Sequence, residues 1–132
     1  MKTKVFFLVM VAFVSTLVSF VKAEDIFNNT EYDEAGRPTI VEEYTKYKSG
    51  DLAPLKKTTF TYSTNGNCVE KVIYNWDAQK STWAEKKKVE CKYNSNGKMI
   101  SMVNLEWNNR NKTWDVTSQL EYKYDEQGNL IS

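Results

Sequence analysis

The stretch Tyr93-Asn94-Ser95-Asn96-Gly97 decides the fold, because three similar stretches recur at nearly constant spacing. They are Tyr32-Asp33-Glu34-Ala35-Gly36, Tyr62-Ser63-Thr64-Asn65-Gly66 and Tyr124-Asp125-Glu126-Gln127-Gly128. Their glycines, Gly36, Gly66, Gly97 and Gly128, stand 30, 31 and 31 residues apart. The tryptophans follow the same rule, since Trp76 and Trp83 recur 31 residues later as Trp107 and Trp114. A period of this length indicates a repeated supersecondary unit.

Each glycine stretch predicts a tight β-hairpin. The Asp, Asn or Ser after the tyrosine opens a type I turn, because its side chain can bond the backbone two residues on. The glycine then takes the left-handed conformation and forms a bulge that restores pairing. This geometry places each tyrosine opposite the residue two positions after the glycine, and the predicted pairs are Tyr62 with Cys68, Tyr93 with Met99 and Tyr124 with Leu130.

The tryptophan spacing extends this register. If Trp76 faces Trp83 across their loop, an unbroken register also places Cys68 opposite Cys91. Opposed strand residues have Cα atoms roughly 4.5–5.5 Å apart, a separation that suits a disulfide. We therefore predict a Cys68–Cys91 disulfide that contributes about 3 kcal/mol to stability, with two buried free thiols as the alternative. Two cysteines without any histidine are too few for a metal site, and no metal or cofactor is expected.

The same register predicts an all-β fold. Alternation collects the aromatic, cysteine and aliphatic side chains on one face and most charged ones on the other. It pairs Lys86 with Glu106, but it also sets Lys71 against Lys88, which is unfavourable. We expect an antiparallel meander of long hairpins in an open twisted sheet, with a closed up-and-down barrel as the alternative. The predicted strands are 26–32, 38–47, 56–62, 68–76, 83–93, 98–107, 113–124 and 129–132, and residues 51–54 are expected to form a loose connection.

The amino terminus predicts export. Lys2 and Lys4 precede an apolar run from residue 5 to 21, and Val21-Lys22-Ala23 matches a signal-peptidase site. We predict a signal peptide over 1–23 and one domain over 24–132, periplasmic or secreted, without a stable membrane anchor after cleavage. An uncleaved anchor is the alternative. Without the segment's three basic residues, 15 of the 18 remain against 17 acidic ones, net −2, which argues against nucleic acid as partner.

Two resemblances extend this interpretation. Residues 32–37 and 122–130 resemble the YD repeats of RHS-type proteins, which form β-hairpins in large secreted shells. The signal peptide, the length and the tandem Tyr-x-x-x-Gly hairpins together are similar to a family of small exported proteins of unknown function from gut Bacteroidales. That likeness implies an exported single-domain β protein, and it implies no activity.

No group of residues in the chain indicates catalysis. The chain lacks histidine, the commonest general base, and we expect it not to be an enzyme. Two functions remain open. A structural or interaction protein would cover its aromatic face, or a sheet edge, with another copy or a protein partner. A binding module would instead use Trp76, Trp83, Trp107 and Trp114 as a platform for a glycan or peptide.

Overall fold

The computed structural model of the protein describes residues 4–9 and 25–132, which form one antiparallel sheet. Each strand pairs with the next strand along the chain. These residues contain no helix, and hence none that is long and apolar enough to cross a membrane. The strands are β1 (Lys4–Val9), β2 (Ile26–Tyr32), β3 (Pro38–Lys46), β4 (Leu52–Tyr62), β5 (Cys68–Asp77), β6 (Thr82–Tyr93), β7 (Met99–Asn108) and β8 (Thr113–Glu121).

The sheet is open. Strands β1 and β8 are its outer strands, and no pairing among the described strands joins them. Closure would need first and last strands that pair along their length with a fixed stagger. The prediction of an open antiparallel meander is therefore confirmed, and the closed barrel is wrong.

Strand β1 lies within the predicted signal peptide. It pairs antiparallel with β2, from Lys4 opposite Glu31 to Val9 opposite Ile26. The predicted cleavage site at residues 21–23 lies outside the described residues. The signal peptide over 1–23 and its removal therefore stay predictions.

The four glycine turns have the predicted conformation. Gly36, Gly66, Gly97 and Gly128 have φ values of 76°, 85°, 76° and 83°, the left-handed region that glycine enters without steric cost. In each turn the glycine N–H donates to the carbonyl of the residue three positions earlier, as from Gly97 to Asn94 at 3.0 Å. All four turns lie at one end of the strands, which we call the turn end. The opposite end, with the Trp-flanked loops, is the loop end.

The predicted tyrosine and tryptophan pairings are confirmed. Tyr62 lies opposite Cys68, Tyr93 opposite Met99 and Tyr124 opposite Leu130. Trp76 also lies opposite Trp83, and Trp107 opposite Trp114.

Between its two ends, however, each long hairpin contains an irregularity that was not predicted from the sequence. Ile73 pairs with Lys87 while Tyr74 pairs with Glu85, so Lys86 is an extra residue in β6. Leu55 in β4 and Thr117 in β8 are extra in the same way. Such a bulge shifts all later pairs by one residue.

The bulges correct the predicted cysteine register. Beyond Lys86 the register moves by one, so that Glu70 pairs with Glu90. Cys68 and Cys91 are therefore not directly opposite each other, and both are free thiols in this structure. The predicted Lys86–Glu106 pair is wrong for a related reason, since Ile100 is an extra residue in β7 and Lys87 pairs with Glu106 instead.

The bulges also divide the predicted aromatic face between two surfaces. One surface, the tryptophan face, carries all four tryptophans together with Tyr74, Val72 and Leu105. The other, the tyrosine face, carries Tyr32, Tyr62, Tyr93 and Tyr124 near the turn end, with both cysteines. This division follows from the pairings, because directly paired residues share a face and neighbours along a strand alternate.

The core is thin, as expected for a single layer. Among residues 25–132 the buried hydrophobic side chains are Ala53, Val72 and Leu105, and the buried polar ones are Thr30 and Thr58. No large side chain among these residues is fully buried. Stability must therefore come mainly from strand pairing and cross-strand contacts, because little apolar area leaves water.

Three strand boundaries differ from the prediction by three residues or more, and the others agree to within one residue. Strand β8 ends at Glu121 instead of at residue 124. Strand β4 begins at Leu52 and includes Pro54, which a loose connection was expected to contain. Pro54 is accommodated because it lies beside the bulge at Leu55. At the carboxyl end, the strand expected over 129–132 is reduced to the Tyr124–Leu130 bridge and two backbone bonds between Lys123 and residues 131–132.

Candidate functional site

The tryptophans form two matched cross-strand pairs at the loop end. Trp76 and Trp83 have ring centroids 5.2 Å apart at an interplanar angle of 74°. Trp107 and Trp114 have the same separation and an angle of 66°. Edge-to-face pairs of this kind contribute about 0.5–1.5 kcal/mol beyond the area they bury. All four rings remain half-buried, so they pack together and still present surface to solvent.

The adjoining loops position these pairs by identical means. Asp77 Oδ1 accepts the N–H groups of Gln79 and Lys80 at 3.0 and 3.1 Å. Asn108 Oδ1 accepts those of Arg110 and Asn111 at the same two distances. Each loop also has one residue with positive φ before the second strand, Ser81 at 49° and Lys112 at 57°. The recurrence of short polar side chains at these positions is the sequence signal for this loop.

A charged cluster lies beside the second tryptophan pair. Lys88 Nζ is 5.1 Å from the centre of the Trp114 ring, a cation–π distance. The same nitrogen is 2.7 Å from Glu90 and 3.9 Å from Glu70. Only 15% of the Lys88 side chain is exposed, so the two carboxylates compensate for its partial burial. The tryptophan face therefore combines flat apolar rings with fixed hydrogen-bonding groups.

The turn end holds a second repeated arrangement, which we call the tyrosine ladder. The hydroxyl of each ladder tyrosine donates to the carbonyl of the first strand residue after the preceding turn: Tyr62 to Pro38 at 2.8 Å, Tyr93 to Cys68 at 2.8 Å and Tyr124 to Met99 at 2.7 Å. In every case the acceptor stands two residues after a turn glycine. The ladder was not predicted from the sequence, although the constant spacing of tyrosine and glycine was its signal.

A polar groove of about 320 Å³ separates the last two turns. Asn94, Asn96 and Lys98 line one side, and residues 124–128 line the other. Lys98 spans it, because Nζ lies 5.1 Å from the centre of the Tyr124 ring and donates to the Gly128 carbonyl. The groove is thus occupied by a structural contact of the protein itself.

The structure groups the predicted site residues only in part. The four tryptophans share a face, whereas Cys68 and Cys91 lie on the other face, one residue out of register. Within the described residues no cluster of three or more His, Cys, Asp or Glu side chains could hold a metal ion.

The fold and these surfaces define a class of protein: a single open sheet of tandem β-hairpins with an aromatic surface at one end. The chain belongs to the family of unknown function DUF3836, which matches residues 1–93. This finding agrees with the resemblance to a family of unknown function.

Two solved structures show the same fold. A DUF3836 family protein from Parabacteroides distasonis is 19% identical, with a TM-score of 0.62 over 74% of this chain and 88% of that chain. A second family member, from Bacteroides vulgatus, is 17% identical, with a TM-score of 0.59 over 73% of this chain and 98% of that chain. No curated protein matches the chain. At these identities the likeness establishes the fold alone.

Proposed function

We propose that this is an exported, non-catalytic β-repeat protein that binds a protein partner through its tryptophan face. The observation that carries the proposal is that four half-buried tryptophans share one face of a sheet with no second layer among residues 25–132. Tryptophan is enriched at the energetic centres of protein interfaces. A single-layer sheet also gains stability when a partner covers one face.

The partner can be another copy or a different protein, and light scattering over a range of concentrations separates the two. A dimer that becomes monomeric in Trp83→Leu supports self-association. The matched control is Phe60→Leu, which removes an aromatic ring from the tyrosine face. A monomer whose tryptophans are quenched by acrylamide supports a surface kept free for a different protein. A monomer whose tryptophans resist acrylamide would refute the proposal, because the rings would then serve packing alone.

Export is part of the proposal and has its own test. Support comes from Lys2 and Lys4, the apolar run that follows, and the Val21-Lys22-Ala23 triplet. Amino-terminal sequencing of the protein from the cell envelope or medium should begin at Glu24. The variant Ala23→Arg should retain the leader, because signal peptidase requires a small residue at this position. A product that begins at Met1 in wild-type cells would contradict cleavage.

A second candidate is glycan binding at the same face. The Lys88 cluster beside Trp114 favours it, since sugars are held by an aromatic ring together with fixed polar groups. A glycan array tests this candidate, with tryptophan fluorescence as the measure of binding. Trp114→Ala should abolish a fluorescence shift caused by a bound sugar, whereas the control Phe60→Ala should leave that shift unchanged. The likeness of the turns to YD repeats supports neither candidate over the other, because those repeats are structural elements of secreted proteins.

A further inference from the structure

The four glycine turns, numbered in chain order, are separated by three gaps at the turn end. The gap between the first turn, at Gly36, and the second turn, at Gly66, is bridged by a cation. Arg37 follows the turn glycine Gly36, and its guanidinium carbon lies 4.5 Å from the centre of the Tyr62 ring in the next turn. Arg37 Nε also bonds Asp33 at 2.8 Å within its own turn. The gap between the third and fourth turns is closed in the same way by Lys98, which follows Gly97 and contacts Tyr124 and Gly128.

The middle gap lacks this device. Asn67 follows Gly66, and none of the cation–π contacts among residues 25–132 involves Tyr93. The turn before this gap is also held by fewer side-chain bonds. Ser63 Oγ accepts one backbone N–H, from Asn67 at 3.3 Å.

The turns on either side are better braced. Asp33 Oδ1 accepts the N–H groups of Ala35 and Arg37 at 2.9 and 3.0 Å. Asn94 Oδ1 accepts those of Asn96 and Lys98 at 3.0 and 2.9 Å. The middle gap is thus the place where successive hairpins are least tied together.

Both cysteines lie at this gap. Cys68 stands two residues after Gly66, and its carbonyl accepts the hydroxyl of Tyr93 at 2.8 Å. Cys91 stands two residues before Tyr93 on the same face of β6, so the same tyrosine connects to both cysteine positions. Burial raises the pKa of Cys91, and the neighbouring Cys68 raises it further. Cys68 and Cys91 thus lie on the same face of the adjacent strands β5 and β6, although the bulge at Lys86 removes their direct opposition.

We propose that Cys68 and Cys91 form a disulfide that replaces the missing cation and ties the second turn to the third. The inference rests on the proposed export, which supplies an oxidising compartment. As the S–S bond forms, the two thiols give up two protons and two electrons to a second disulfide, such as oxidised glutathione, which becomes two thiols. Reduction reverses the exchange and loosens only the middle gap.

The test uses the purified full chain with oxidised or reduced glutathione, so that it does not depend on export in cells. Oxidation should remove two hydrogens from the intact mass and yield a Cys68–Cys91 peptide. It should raise the Tm by on the order of 10 °C. A protein that keeps two free thiols in excess oxidised glutathione would overturn the disulfide, whereas a failure of export would leave this result intact.

A pair of lysine variants tests the idea of replacement. Asn67→Lys places a cation where Arg37 and Lys98 stand in the other gaps. It should therefore raise the Tm of the reduced protein and narrow the difference in Tm between the reduced and the oxidised protein. Asn65→Lys adds the same charge at an exposed position of the same turn and should leave that difference unchanged. Equal effects of the two variants would show that the disulfide does not stand in for a cation.

Discussion

Replacing Gly97 by valine tests the turn geometry on which the fold depends. Gly97 has a φ of 76°, and a Cβ added there would meet no atom within 4 Å. The main cost of a side chain at this position is therefore backbone strain, about 1–3 kcal/mol for a non-glycine residue held in this region. Gly128 would be a poorer choice, because its added Cβ would lie 2.7 Å from Lys98 Nζ.

The assay is urea unfolding followed by circular dichroism, supported by thermal melts. Gly97→Val should lower the urea midpoint without changing the slope, and each kcal/mol lost should lower the Tm by about 4–8 °C. Gly97→Asn should lose much less stability than Gly97→Val, because asparagine tolerates the left-handed conformation. Ser95→Val serves as the control at an exposed position of the same turn. Equal urea midpoints for Gly97→Val and Ser95→Val would refute the turn assignment.

Three further predictions concern single contacts. Tyr124→Phe removes the 2.7 Å bond to the Met99 carbonyl and should lower the free energy of unfolding by about 0.5–1.5 kcal/mol, measured by urea unfolding; no loss would mean that the ladder adds no stability. The carboxyls of Asp33 and Asp125 have lowered pKa values, mainly because backbone N–H groups donate to them. Their contribution to stability should be present above the ordinary pKa of 3.8 and lost as pH falls below it. In thermal melts between pH 5 and pH 2, the Tm of Asp33→Asn should therefore fall less than the Tm of the wild-type protein. Burial, and to a lesser extent Glu42, raises the pKa of Tyr44 from 10.0 to about 12. Stability should therefore fall as pH rises from 10 towards 12. An absorbance titration of the tyrosines with the same curve for Tyr44→Phe as for the wild-type protein would contradict this.

The ends of the hairpins could be predicted because local chemistry determines them. Glycine after Asp, Asn or Ser allows few turn geometries, and the resulting pairs, such as Tyr93 with Met99, were correct. The tryptophan pairs followed from spacing alone. Strand β4 was placed too short because Pro54 was assigned to a loop, whereas a bulge beside it accepts a residue without an N–H.

The mid-strand bulges could not be predicted, because the extra residues Leu55, Lys86 and Thr117 have nothing in common. Indirect evidence of one bulge was nevertheless present. An unbroken register set Lys71 against Lys88, whereas the bulge at Lys86 pairs them with Val89 and Val72 instead.

Without the bulges, the tyrosines, cysteines and tryptophans were expected on one face. The structure divides them between two faces, and this division determines which residues can contribute to a common binding surface. A like-charge clash within an otherwise consistent register is thus better interpreted as an inserted residue than as an exposed edge.

The thin core has a consequence for how such a protein can change its length. Each strand contacts its immediate neighbours, and the few buried side chains are spread over β2, β4, β5 and β7. A duplicated hairpin of 31 residues would add its own pairing energy and its own ladder tyrosine without requiring any existing side chain to repack. Gain or loss of a whole hairpin is therefore a mild genetic change, whereas insertion of one residue between bulges is a severe one.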